Sequence, residues 1–210
     1  MAPRRRLQLA AVGVLLVAYS ILSHYSNLNP QAQNLGTVLA LAPILIISNA
    51  LLWRVTGVTS AAIAAAAELF LLHHYWALLA RNFAPLTLIQ QCGFYAILAL
   101  SFALSLRKGR VPLCTQLADR VHGPLTMREL HYTRQVTAAW ALFFLGQITA
   151  SLLLFEFAPL RIWSLFVNFC SPPLILAMFA AEMAVRQRVL PATRHGGLIA
   201  TLRVYFADSN

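Results

Sequence analysis

The sequence predicts an all-α integral membrane protein of six transmembrane helices with both termini cytoplasmic, and three observations carry that prediction. Of 210 residues, 60% are hydrophobic and only 10% charged, where a soluble domain carries roughly 25% charged residues. Six apolar stretches are each close to the roughly 20 residues that cross a hydrocarbon core about 30 Å thick. Sixteen Lys and Arg stand against six Asp and Glu, a formal net charge of +10, and the cations fall in alternate connections. A single soluble domain is excluded by this composition. A nucleic-acid module is excluded with it, because no soluble basic domain remains to carry one.

The expected spans run over residues 7–23, 35–52, 61–80, 86–106, 135–157 and 162–185, with a cytoplasmic loop over 107–134 and a cytoplasmic tail over 186–210. Together they form one membrane domain over 1–210. Arg4, Arg5 and Arg6 followed by an apolar run from Leu7 have the charge layout of a signal peptide. No small-residue cleavage site precedes the Asn- and Gln-rich loop, so this stretch reads as an uncleaved first span. Pro43 in the second span and the Pro172, Pro173 pair in the sixth free backbone carbonyls and predict bends. Short connections at 81–85 and 158–161 predict hairpins of the third span with the fourth and the fifth with the sixth. Ala62 and Ala66, Gly146 and Ala150, and Ala177 and Ala181 offer the small-residue spacing that lets membrane helices approach.

Orientation follows from charge. Arg4, Arg5, Arg6, Arg54, Arg107, Lys108, Arg110, Arg120, Arg128, Arg134, Arg186, Arg188, Arg194 and Arg203 lie on one side, and only Arg81 and Arg161 on the other. Positively charged loops stay cytoplasmic, which makes this a multi-pass membrane protein with both termini inside and its basic face inward. Trp53 and Trp140 then fall near the inner boundary, and Tyr75, Trp76 and Trp163 near the outer one, as aromatic belts.

Glu68 lies near the middle of the third span, where a carboxylate costs about 2.5 to 3.5 kcal/mol and calls for a partner, a proton or water. His73 and His74 follow it, and Gln90, Gln91, Gln147 and Asn168 add polarity to the outward halves of neighbouring spans. Glu68, His73, His74, Gln91 and Asn168 are thus a candidate intramembrane polar cluster. It reads either as a proton or substrate path or as interhelical hydrogen bonding. The two histidines are adjacent, so they point about 100° apart, and no metal site or cofactor is indicated. Cys92, Cys114 and Cys170 have neither disulfide nor zinc spacing and read as buried thiols.

The long basic loop holds a second candidate site. Thr126 followed three residues later by Glu129 is a capping box that starts a helix continuing into the fifth span, with a turn at His122, Gly123 and Pro124 before it. Arg134 lies 24 residues before Ala158, and Glu182 lies 21 after Arg161. At 1.5 Å per residue their levels differ by about 4.5 Å across the hairpin, within side-chain reach. Glu182 also precedes Arg186 by four residues, the favourable order for a helical ion pair. His122, Glu129, Tyr132, Arg134, Glu182 and Arg186 form the expected cytoplasmic-face cluster, as structural clamp or as site wall.

These residues carry a resemblance as well. His122, Gly123, Leu125, Glu129, Tyr132, Thr133, Arg134, Thr137, Trp140, Phe143 and Phe144, then Trp163, Ser164, Phe166, Asn168, Pro173, Leu174, Phe179, Glu182, Arg186 and Pro191 make the region from Val121 to Pro191 similar to a small family of bacterial inner-membrane proteins. That family accompanies the enzymes of aryl-polyene and xanthomonadin-type pigment lipid synthesis. Met183 stands where the family commonly has an aromatic residue. The resemblance implies company with acyl carrier proteins, ketosynthases, acyltransferases and a lipid exporter, and implies no catalytic residue.

Three functions suit this reading. The first is a non-catalytic component that anchors or hands over acyl or lipid intermediates at the inner face, its partners being the bilayer, anionic lipids and an acyl carrier protein or pathway enzyme. It needs only a basic surface and apolar helices, and is the reading favoured. The second is an acyl or glycosyl lipid transferase with His122 or His131 as base, although neither is followed by an aspartate at the acyltransferase spacing. The third is a small transporter working through Glu68 and the histidine pair, although no internal repeat supports it.

Overall fold

In a computed structural model the described residues are 3–189; the side chains of residues 3–10, 12 and 122 lie outside the description, as do residues 190–210 with Arg194 and Arg203 of the expected tail. The protein is all-α. Its helices are α1 (Pro3–Leu28), α2 (Gln33–Thr56), α3 (Val58–Arg81), α4 (Phe83–Ser105), α5 (Leu113–His122), α6 (Met127–Phe157) and α7 (Leu160–Val189). Among the described residues α2, α3, α4, α6 and α7 are long and apolar enough to cross a membrane, which makes this a multi-pass membrane protein. The connection at 107–134 is largely helical: it contains α5 and the first turns of α6.

Local chemistry sets the boundaries. Asn29 accepts a hydrogen bond from the Gln31 amide at 3.1 Å and opens a single 3-10 turn, Pro30–Ala32, ahead of α2. Only Gly57 separates α2 from α3, and only Asn82 separates α3 from α4. Pro43 is accommodated within α2. Pro172 and Pro173 cannot donate to the carbonyls four residues back, those of Asn168 and Phe169. The helix answers with a π turn over Phe166–Cys170 immediately before them, so α7 is one helix with a wide turn inside it.

The chain forms two compact units. The first holds α1, α2, α3, the first turns of α4, the end of α6 and the start of α7. Within it the backbones of α2 and α3 approach closely, and α1 lies against α2 and the first turns of α7. The face α3 turns to its neighbour carries Ala61, Ala64, Ala65, Glu68, Leu72 and Trp76, all half-buried at helical spacing. The small-residue stripe is therefore one position away from the expected Ala62 and Ala66, both of which are exposed. Trp163 is fully buried, donates from Nε1 to Ser151 Oγ at 3.0 Å and meets the Phe155 ring edge-on at 5.0 Å.

The second unit holds the rest of α4, α5, most of α6 and the later part of α7. Its core is aromatic: Tyr95 and Phe102 of α4, Trp140, Phe143 and Phe144 of α6, and Phe179 of α7. Trp140 is 5% exposed and lies with its ring tilted 57° against Phe179, centroids 4.6 Å apart. The aromatic-belt expectation is corrected here: Trp140 and Trp163 are core residues, whereas Trp53 at 61% and Tyr75 at 47% exposure remain on the surface. Burial of a whole indole outweighs its interfacial preference where neighbouring rings can enclose it.

Gly36 of α2 is a point of close approach. A Cβ there would stand 2.6 Å from both Ser26 Cβ and the tip of Phe83. Gly36→Ala should cost about 1 to 3 kcal/mol through overpacking, read as a lower thermal midpoint in detergent. Gly93→Ala, where a Cβ meets nothing within 4 Å, should leave the midpoint level or raise it.

Candidate functional site

The residues that fix the second unit's polar site begin at the start of α6. Thr126 donates from its backbone N–H and from Oγ1 to Glu129 Oε2 at 2.7 and 2.8 Å, and the Glu129 N–H returns a bond to Thr126 Oγ1 at 3.4 Å. The capping box is formed, and it consumes Glu129 in building the helix end. One helical face beyond it presents Thr133 and Thr137, both buried. Thr133 Oγ1 pairs with Thr115 Oγ1 of α5 at 2.7 Å, and Thr137 Oγ1 accepts the Cys114 N–H at 3.2 Å. Ser105, at the end of α4, accepts the Leu113 N–H at 3.1 Å. The first two amides of α5 would otherwise be orphaned; here hydroxyls from α4 and α6 satisfy them and hold α5 in place.

Tyr132, buried beside this contact, donates from its hydroxyl to the Glu182 carbonyl at 3.1 Å and faces Glu182 Oε1 at 3.5 Å. Glu182 pairs with Arg186 at 3.3 Å. The structure brings together Tyr132, Glu182 and Arg186 of the expected cluster and adds Cys114, whose thiol feels both charges. It does not bring Arg134 to Glu182. Arg134 Nη2 donates at 2.9 Å to the carbonyl of Leu106, just past α4, where a cation suits the negative end of a helix. Level matching along two helices is thus corrected by azimuth: Arg134 is on the exposed side of α6 and Tyr132 on the buried side. His131 is exposed and pairs with Gln135 at 3.1 Å. The side chain of His122, at the end of α5, lies outside the described residues.

Ser105 and Thr115 were missed by sequence reading, and Thr137 and Cys114, though noted there, were not assigned to this site. Two threonines four apart on an otherwise apolar helix, Thr133 and Thr137, were the available signal, because hydroxyls on such a face serve a neighbouring backbone or helix. Cys114 is held above the usual thiol range, first by burial and then by Glu182, with Thr137 and Arg186 acting the other way.

The first unit's polar residues sort into separate contacts. Glu68 accepts a hydrogen bond from the Asn49 amide of α2, which also donates to the Leu45 carbonyl at 2.9 Å. His73 and His74 are exposed on α3, His74 beside the Phe70 and Tyr75 rings. Asn168 donates to the Ser164 carbonyl at 2.9 Å, and Ser164 Oγ lies 2.8 Å from His24 Nδ1, a residue the sequence placed in a loop. Gln91 is half-buried in the second unit. Among the described residues no group of three or more His, Cys, Asp and Glu could hold a metal ion.

Compared with protein families, with curated proteins and with solved structures, the chain matches none.

Two outcomes test this geometry. Reversing the pair as Glu182→Arg with Arg186→Glu should recover about 0.3 to 0.5 kcal/mol over the single changes, whereas combining Glu182→Arg with Arg134→Glu should recover none; thermal midpoints in detergent report both. Thiolate is the reactive form of cysteine, and a raised thiol value leaves Cys114 little of it at neutral pH. With Cys92 and Cys170 replaced by Ser, maleimide should label the folded chain slowly at pH 7 and faster as pH rises above the ordinary cysteine range, and labelling in denaturant should be rapid throughout.

Proposed function

We propose that this protein is a six-span inner-membrane component, with both termini cytoplasmic, that anchors or hands over acyl or lipid intermediates at its basic face. α1 supplies the sixth span in this reading, and the aryl-polyene type of pathway is the setting that the Val121 to Pro191 resemblance suggests. The observation that carries the reading is the segment between α4 and α6. Its turn exposes Arg107, Lys108 and Arg110, and the helix that follows is pinned by buried hydroxyl contacts to Ser105, Thr133 and Thr137. A fixed basic platform next to apolar helices suits an acidic carrier bearing an acyl chain, because opposite charge steers the encounter while the membrane takes up the chain. The polar contacts of the site serve helix ends and helix pairs, which is what a holding surface requires.

Reporter fusions after Asn29, Arg54, Lys108 and Asn210 should read outside, inside, inside and inside; an outside signal after Lys108 would remove the orientation. For function, the purified chain in detergent should bind an acyl carrier protein at low salt and release it as salt screens the charges. Replacing Arg107, Lys108, Arg110 and Arg120 by Gln should weaken binding at least about tenfold, taking about 1 kcal/mol per cation as a ceiling and part of it as realised. Binding that ignores both salt and the four changes would sink the carrier reading.

A further inference from the structure

The end of α4 and the start of α5 enclose an open groove of about 520 Å³, lined by Ser101 and Leu104 of α4, Arg110 and Val111 of the turn, and Leu113 and Gln116 of α5, with Ser105 at its base. That volume lies within the roughly 300–1,000 Å³ of small-molecule sites. Specific bonds join its lining residues: Leu113 N–H to Ser105 Oγ at 3.1 Å ties α5 to α4, and Gln116 Nε2 donates to the Val111 carbonyl at 2.7 Å. Gly109, at φ +81° in the left-handed region that favours glycine, turns the chain immediately before Arg110, one of the lining residues. Among the described residues no carboxylate lines it.

An apolar stripe on α4 leads into this groove. Phe94 and Ile97 are 59% and 66% exposed, and with Ser101 and Leu104 they follow the spacing of one helical face. Ser101 gives its hydroxyl hydrogen to the Ile97 carbonyl at 2.7 Å, so its polarity is turned into the helix. α4 is long and apolar enough to cross a membrane, and the groove sits at its last turns. The ligand that matches a membrane-depth apolar track ending under an arginine is an amphiphile with an anionic head.

We propose that this groove is a binding site for one anionic phospholipid of the bilayer, its acyl chain along Phe94, Ile97 and Leu104 and its phosphate on Arg110. An arginine fork suits phosphate oxygens, and Arg107 and Lys108 in the same turn add long-range attraction. The site requires that the chain sit in a bilayer; it does not require the carrier reading.

The test is native mass spectrometry of the full chain in detergent, titrated with phosphatidylglycerol and, separately, phosphatidylcholine. Phosphatidylglycerol should be retained preferentially as one molecule per chain. Arg110→Gln should lower that retention at least about fivefold, while Arg107→Gln, the same charge loss outside the groove lining, should change it less than about twofold. Leu104→Trp, which fills the groove and leaves the charges in place, should also reduce it. Equal retention of the two lipids, equal loss in the two arginine variants, or full retention in Leu104→Trp would each overturn the site and leave diffuse surface attraction. Carrier binding measured on Leu104→Trp separates the two proposals, since the carrier surface keeps all its cations in that variant.

Discussion

Much of this structure follows from one constraint: a buried backbone N–H or C=O left without a partner costs free energy, in hydrocarbon or in a packed protein interior alike. Helix interiors meet it by themselves, so the exposed structural problem is at helix ends and interruptions. The solutions are visible residue by residue. Ser105 and Thr137 take the first two amides of α5, Arg134 takes the carbonyl of Leu106, and Thr126 with Glu129 closes the start of α6. The π turn at Phe166–Cys170 is the same answer to Pro172 and Pro173. Polar side chains that look like chemistry in a linear sequence are here largely occupied by this duty.

That occupation bears on function. Glu129 is spent on its capping box, Tyr132 on Glu182, and Asn168 on Ser164, where His24 also makes its contact. Glu68 has an amide partner in Asn49 rather than a histidine. Arg107, Lys108 and Arg110 are exposed together on the turn between α4 and α5. Clustered exposed cations of that kind create a long-range attraction for negative charge that falls off as salt screens it.

Apolar run length is a local property, and it made the helices legible: the expected spans fall on helices to within a residue, five of these helices are long and apolar enough to cross a membrane, and the capping box at Thr126 is where the residues placed it. The Glu182 and Arg186 pair was equally legible, because four-residue spacing on one helix fixes proximity without any tertiary information. Arg134 was not, since counting rise along a hairpin gives height and leaves azimuth open; two residues, about 200° of rotation, separate the buried Tyr132 from the exposed Arg134. Azimuth likewise decided that the close-packed stripe of α3 is Ala61, Ala64 and Ala65, and that Trp140 and Trp163 are buried.

By itself, then, the sequence determined a helical, multi-pass membrane chain with its cations concentrated at one set of connections, because hydropathy and charge act over a single segment. Only the tertiary structure decided that the basic connection folds into α5, that buried hydroxyls anchor it, and that a groove forms beside Arg110. Those features depend on which faces of α4, α5 and α6 meet, and that choice is made by interdigitating side chains far apart in the chain.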